Sequence, residues 1–218
     1  MVYSHVDCNG EPLEIKLDKL FKNKEIGFFI ELGANDGLTQ SNTAFFENSR
    51  NWNGILIEPS VRGYELCVKN RPNSLCFNYA CVSNDYNYDF VYGDFEQNSL
   101  MASINGERLG SNTLTKVKAV TLEFILDSQN ITNNIDFLSL DTEGYELNIL
   151  KGLNLDKYRP NYMLIEVYKK DYDDIYLFLK DKNYSLICNF TNYNLVTNPH
   201  WDGTHNDYLF VDNLIASL

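Results

Sequence analysis

Residues 27–37, GFFIELGANDG, constrain the fold more than any other stretch. Phe28, Phe29, Ile30 and Leu32 make a short apolar run that reads as a buried strand, with Glu31 the polar residue inside it. Gly33-Ala34-Asn35-Asp36-Gly37 then enforces a tight turn, because glycine admits backbone angles that other residues resist. Helical character follows from Thr39 to Asn48. Strand, glycine turn and helix in this order present backbone N–H groups and a positive helix end to a small ligand.

The alternation recurs along the chain. Gly54 to Ile57 reads as a second strand stopping at Glu58-Pro59, and Ser60 caps a helix from Val61 to Asn70. Ser74 to Val82 reads as a third strand, whose far end, Tyr79-Ala80-Cys81, reaches the rim where Glu58 lies. Residues 84–114 follow no clear period: Tyr88 to Tyr92 suits an edge strand, and Asp94 to Ser111 a long mobile loop of the kind that covers a site. Lys116 to Val120 is a short strand, and Thr121 caps a helix to Ser128. Ile135 to Leu140 and Tyr162 to Val167 are buried strands, each followed by a helix: Leu147, Ile149, Leu150 and Leu153 form the buried face of one, and Ile175, Leu177, Phe178 and Leu179 that of the other, Asp171 to Lys182. Tyr184 to Phe190 and Asp207 to Val211 are strands so close in sequence that one must run antiparallel. Leu13 to Phe21 is a helix expected to cover one edge of the sheet, within an N-terminal cover over residues 1–25. Strands alternating with helices imply an α/β fold with a mostly parallel sheet, here as one domain over residues 1–218.

The first turn narrows the ligand. A dinucleotide fingerprint, G-x-G-x-x-G, uses its middle glycine to admit a pyrophosphate. Asn35 stands in that place, so a ligand without a pyrophosphate fits better. S-adenosylmethionine (SAM) is one: the turn can meet its carboxylate with N–H groups and its ammonium with a side-chain carboxylate. Glu58 lies about twenty residues past the turn, at the end of the second strand, where nucleoside-binding α/β proteins hold ribose hydroxyls. Small, apolar Ala80 and Cys81 suit an adenine ring. The competing reading of the turn alone is an ordinary strand–turn–helix corner.

Ligands of open parallel sheets sit beyond the carboxyl ends of the strands. Glu31, Asp36, Glu58, Asp141, Glu143 and Glu166 all fall there. Asp141 ends the strand expected beside the first one, close to the methyl donor, which makes it a cofactor-binding candidate as well, and Glu143, two positions on, points to the same side if the chain stays extended. Either could accept a proton from an attacking hydroxyl, although Glu143 also stands where it could cap the next helix. His205, at the start of the last strand, suits general-base work, against the alternative of a surface loop histidine; His200 and His5 carry less weight. Asp141 and Glu166 could hold a divalent cation, yet spacing shows no ligand triad, so no metal is assigned.

Charge and cysteine usage exclude several classes. Thirty acidic against 18 basic residues leave a net charge of −12, which disfavours nucleic acid and anionic membranes and permits a neutral sugar. Lys16, Lys19, Lys22 and Lys24 read as a solvated helix face. The five cysteines form no C-x-x-C pair, which fits a reducing compartment, and no run is long and apolar enough for a membrane helix or signal peptide, so a cytosolic site is expected. A nucleotide-dependent oxidoreductase or epimerase, and a non-catalytic adaptor, are the rival readings; Asn35 argues against the first and the carboxylate set against the second.

FIELGANDG (29–37), ILIEP (55–59), FLSLDTEGYELNILKG (137–152), LIEV (164–167) and NDYLFV (206–211) together resemble the FkbM family of SAM-dependent methyltransferases. The resemblance implies a class I methyltransferase fold, Rossmann-like, with seven strands, the last antiparallel, and helices on both faces. It implies methyl transfer from SAM to a hydroxyl, often of a sugar, leaving S-adenosylhomocysteine (SAH). Glu31, Gly33, Asn35 and Asp36 match the family's SAM turn, Glu58 its ribose carboxylate, and Asp141 and Glu143 its signature pair. The abrupt start and the Asn, Lys and Tyr usage look like part of a longer multidomain protein, similar to the C-terminal methyltransferase domain of large-DNA-virus glycan-synthesis proteins. The site would then be the host cytoplasm and the acceptor a deoxyhexose such as rhamnose.

Overall fold

The computed structural model describes residues 2–95, 101–106, 108–110, 112–132 and 134–214. In chain order the elements are α1 (Leu13–Leu20), β1 (Phe28–Leu32), α2 (Ala44–Arg50), β2 (Asn53–Ile57), α3 (Val61–Asn70), β3 (Leu75–Phe77), β4 (Ala80–Cys81), β5 (Phe90–Gly93), β6 (Thr115–Val120), α4 (Leu122–Ser128), β7 (Ile135–Leu140), α5 (Glu146–Lys151), β8 (Pro160–Tyr168), α6 (Tyr172–Asp181), β9 (Tyr184–Asn189) and β10 (His205–Asp212).

Among the described residues a seven-stranded sheet runs in the order β3-β2-β1-β7-β8-β10-β9. Its first five strands pair parallel, and β10 lies antiparallel to both neighbours. The central strands are apolar on both faces, as burial on both sides requires. Phe28, Ile30 and Leu32 join Ile55, Ile57, Leu138, Leu140 and Met163 against α4, α5 and α6. Phe29, Leu56, Phe137 and Leu164 face the other way, against α1, α2 and α3. Helices therefore cover both faces.

Four sequence expectations need correction. α1 covers a face rather than an edge: Leu13 and Leu17 pack in the cluster with Phe29, Phe137 and Leu164 of the central strands. α2 begins at Ala44 and not Thr39, because residues 39–43 are held by side chains. The Asp36 carboxylate accepts the Leu38 and Thr39 N–H groups, and Ser41 Oγ accepts those of Thr43 and Ala44. The third strand splits in two. β3 pairs with β2, then the Asn78 side-chain amide donates to the Glu58 and Pro59 carbonyls, and β4 leaves to pair parallel with β6. In α6, Leu177 is exposed, and Ile175 and Leu179 carry the buried face.

β4, β6 and β5 form a separate small sheet packed around Val82, Val91, Phe95 and Val117. Of the stretch expected to be a mobile loop, residues 96–100, 107 and 111 lie outside the described residues. In the remainder, Ile104 bridges antiparallel to Gly93, and the Asp94 carboxylate accepts the Ser103 N–H at 2.6 Å. All five cysteines are free thiols, and among the described residues no helix is long and apolar enough to cross a membrane.

Candidate active site

A cleft of about 300 Å³ opens beyond the carboxyl ends of β1, β2 and β7, with β4 on one flank. Its floor is the turn after β1. Gly33 has φ +76°, and a Cβ there would sit 1.7 Å from the Asp141 carbonyl oxygen, so only glycine lets the ends of β1 and β7 approach this closely. Asn35 also adopts the left-handed region, φ 49°, which asparagine tolerates better than most residues. The Gly33 and Ala34 N–H groups donate to the Ile57 carbonyl, and that of Asn35 to Glu58 Oε2 at 2.8 Å. The turn is thus tied to β2, and the helix N-terminus beside it is that of α3, whose Ser60 and Gly63 line the cleft, and not that of α2, which starts at Ala44.

Glu58 lines the cleft and is nearly fully buried. Burial pushes its carboxyl up to about 7, against the opposing pull of the Ser60 and Asn35 N–H groups. Ala80 and Cys81 form part of the same wall, and burial raises the Cys81 thiol far above its ordinary value. Asp36 also lines the cleft. Burial pushes its carboxyl up, but hydrogen bonds from Thr39 and Leu38 outweigh this and hold it below the usual aspartate value, so the group is an anion engaged with its own loop.

Glu31 is not a wall of the cleft. Position 31 shares the Phe29 face of β1, and its carboxylate takes the Asn42 N–H at 2.9 Å, the Thr43 hydroxyl at 2.6 Å and the Ser41 hydroxyl. Arg71, fully buried, joins this network. Its Nη1 lies 3.4 Å from Glu31 and 3.0 Å from the Gly37 carbonyl, and its Nε donates to Glu47 at 2.8 Å. Glu31 therefore braces the floor from behind. Sequence reasoning singled out Glu31 without its partner Arg71, 40 residues away in the chain.

At the other end of the cleft stand Asp141 and Glu143, which line it, with Glu166 and His205 behind them. Asp141, Glu143 and Glu166 each offer a carboxylate oxygen within 4.8 Å of the others. The route by which Glu143 arrives differs from the extended one expected. Glu143 and Gly144 have φ 57° and 99°, so the chain coils tightly before α5. Glu146 stabilises the coil, its Oε1 accepting the N–H groups of Thr142 and Gly144; Glu146, not Glu143, caps this turn. Burial, and then the neighbouring acids, push Asp141 and Glu166 well above ordinary carboxyl values. Glu143 is raised by burial, although its Oε2 accepts from Tyr168 Oη at 2.6 Å and from Arg108 Nε at 3.2 Å.

His205 is no surface histidine: its Nε2 lies 3.2 Å from Glu166 Oε1, and burial lowers its pKa, keeping the ring neutral. Thr204 Oγ1 donates to Asp202 at 2.6 Å and so accepts from His205 Nδ1 at 2.8 Å. That turns Nε2 toward Glu166 Oε1. His5 is buried deeply enough to lower its pKa and lies outside the cleft lining, as does His200.

Sequence reasoning missed three groups here. Tyr168 ends β8 and pairs across the sheet with His205. Asp207 lies directly across from Glu166, and burial, then Glu146, push it up to about 7. Arg108 comes from the stretch without periodicity, joins Glu143 to Asp202 and stacks 5.6 Å from the Tyr168 ring. Alternation along β10 could have revealed Asp207; nothing local marks Arg108.

The donor set suits a nucleoside without a pyrophosphate: a buried carboxylate at 58, a tight turn, and a small apolar wall at 80–81. No curated protein matches the chain. Among solved structures, the precorrin-6y C5,15-methyltransferase of Geobacter metallireducens superposes with a TM-score of 0.51 at 9% identity, over 93% of this chain and 89% of that one, which shows the fold. TrmK of M. capricolum, bound to SAH, gives 0.46 at 11% identity over 91% and 68% of the two chains. A SAM-dependent methyltransferase of Aquifex aeolicus gives 0.46 at 11% identity over 91% and 89%. The sequence model of the Methyltransferase FkbM domain matches residues 31–186, spanning the turn, Glu58 and the carboxylate group, so the chain belongs to the FkbM family of SAM-dependent methyltransferases.

Proposed function

We propose that the chain transfers the methyl group of SAM to a hydroxyl of a sugar, with a glycan or a deoxyhexose such as rhamnose as acceptor. The observation that carries this reading is the placement of Asp141 and Glu143 in the cleft wall, with Glu166 and His205 behind them. Raised carboxyl pKa values bring these groups nearer the operating pH, where a general base works best. A hydroxyl nucleophile must lose its proton, and such a group can receive it. The net charge of −12 supports a neutral acceptor over a phosphate-bearing one.

SAM supplies a methyl group on a sulfonium, which needs no further activation. The protein's part is alignment and proton removal. In this reading Glu58 holds the ribose hydroxyls, the turn at Gly33 and Asn35 holds the methionine end, Ala80 and Cys81 flank the adenine, and Asp141 or Glu143 takes the hydroxyl proton. Fixing donor and acceptor in line can supply about 7–11 kcal/mol of the barrier.

The test is incubation with methyl-labelled SAM and a panel of monosaccharides and glycan fragments, with mass spectrometry of the products. A methyl ether on a sugar is expected. Label appearing on an amine or a carbon, or no transfer despite SAH binding by calorimetry, would overturn the sugar reading.

A further inference from the structure

We propose that Asp141, Glu143 and Glu166 form a binding site for one hard divalent cation, of the Mg²⁺ or Mn²⁺ class, at the inner end of the cleft. The three carboxylates each place an oxygen within 4.8 Å of the other two. Oxygens on opposite sides of an ion with bonds of about 2.1–2.4 Å stand about 4–5 Å apart, so small side-chain movements close this set on an ion. All the donors are oxygens, the preference of hard cations.

The hydrogen bonds around the set point the same way. Both bonds recorded for Glu143, from Arg108 Nε and Tyr168 Oη, go to Oε2. His205 faces Glu166 at Oε1. Each partner thus steadies one oxygen and makes no bond to the other, as outer groups around metal-binding carboxylates do. The other oxygen of Glu166, Oε2, is buried and has no hydrogen-bond donor, on a side chain only 6% exposed. A buried carboxylate oxygen without a donor is costly; a cation would satisfy it, and the competing arrangement is a proton held between Glu166 and Asp141, whose side chains are within hydrogen-bond reach. Arg108 does not fill this role, since it reaches Glu143 on the opposite oxygen and then turns to Asp202 at 2.5 Å.

The ion site extends the methyltransferase reading: if a sugar hydroxyl approaches Asp141 and Glu143, it approaches the ion as well. Binding of the ion itself can be tested without that reading. Full-length protein is titrated with Mn²⁺ while the free-ion signal is followed by electron paramagnetic resonance. Mg²⁺ serves as competitor, and SAH calorimetry is run on the same preparation. One Mn²⁺ taken up per chain and displaced by Mg²⁺ is expected. Glu166→Gln, which keeps the volume and removes the charge, should weaken uptake about tenfold or more. Asp141→Asn should do the same and serves if the first variant fails to fold by circular dichroism. No uptake at millimolar Mn²⁺ by protein that binds SAH would overturn the ion site and leave the methyltransferase reading standing; the carboxylates would then share protons instead. Uptake unchanged in both variants would also overturn it. Uptake lost in the variants with no SAH binding by the parent would support the ion site and count against the SAM cleft.

Discussion

At the scale of single residues, the site rests on buried charges that neutralise one another in fixed directions. Arg71 is the clearest case, because its guanidinium spans Glu31, Glu47 and the Gly37 carbonyl with no exposure to solvent. Arg71→Met leaves two buried carboxylates without their cation, so a loss of about 3–5 kcal/mol is expected in urea unfolding. A loss under about 1 kcal/mol would show that the network is no brace. In the cleft, Asp141 is a wall residue whose backbone N–H donates to the Leu32 carbonyl at the end of β1. Asp141→Asn should therefore reduce turnover about 100-fold or more while SAH affinity changes little. Calorimetry beside single-turnover kinetics separates these, and unchanged turnover would remove Asp141 from the proton-accepting role. Glu58, Asp141, Glu166 and His205 were legible in the sequence because each stands at a strand end. Arg108 and Tyr168 were not, because their importance comes from where the side chains meet.

At the scale of elements, the strands were readable and the connections were not. β1, β2, β7 and β8 are largely buried on both faces, so their sequences are mostly apolar, with single polar residues such as Glu31, Ser139 and Glu166 among them. The start of α2 was misplaced because residues 39–43 take their hydrogen bonds from Asp36, Ser41 and Glu31 instead of from a helix. The break between β3 and β4 was hidden for a similar reason: one Asn78 side chain replaces a strand partner. Gly33 is where two elements constrain one residue, through a positive φ and the near contact with the end of β7. Gly33→Ala should cost at least about 2 kcal/mol, from the left-handed backbone and the displaced strand end together. It should weaken SAH binding in parallel, since the floor of the cleft moves. Full stability with full SAH affinity would show that the ends of β1 and β7 can part freely.

At the scale of the whole molecule, the buried acids make stability depend on pH in one direction. The ordinary values of Glu58 and Asp207 are 4.5 and 3.8, and in the folded chain both are raised to about 7. Between these values the folded state holds more protons than the unfolded one, so stability falls as pH rises from about 4.5 to about 7. Asp36 and Asp202 are shifted downward and act with the opposite sign only below 3.8, outside that window, whereas His5 and His205, lowered from 6.5 by burial, oppose the carboxyls inside it. Urea unfolding stepped from about pH 5 to about pH 8 should show the decline, and Glu58→Gln should remove a share on the order of 3 kcal/mol. A Glu58→Gln variant whose stability changes with pH as the parent's does would contradict the burial assigned to this carboxyl. The alternation of apolar runs and the positions of Gly33, Glu58 and Asp141 were enough to determine a mostly parallel α/β sheet with a cleft at the strand tips, because hydrophobic periodicity and glycine geometry are local properties of the chain. Which acids meet at the inner end of the cleft, where the Arg71 and Arg108 cations end up, and that Glu31 braces the cleft without entering it were decided only by the tertiary structure. Burial and electrostatic pairing act between residues far apart in sequence, and their energies exist only once the strands bring those residues together.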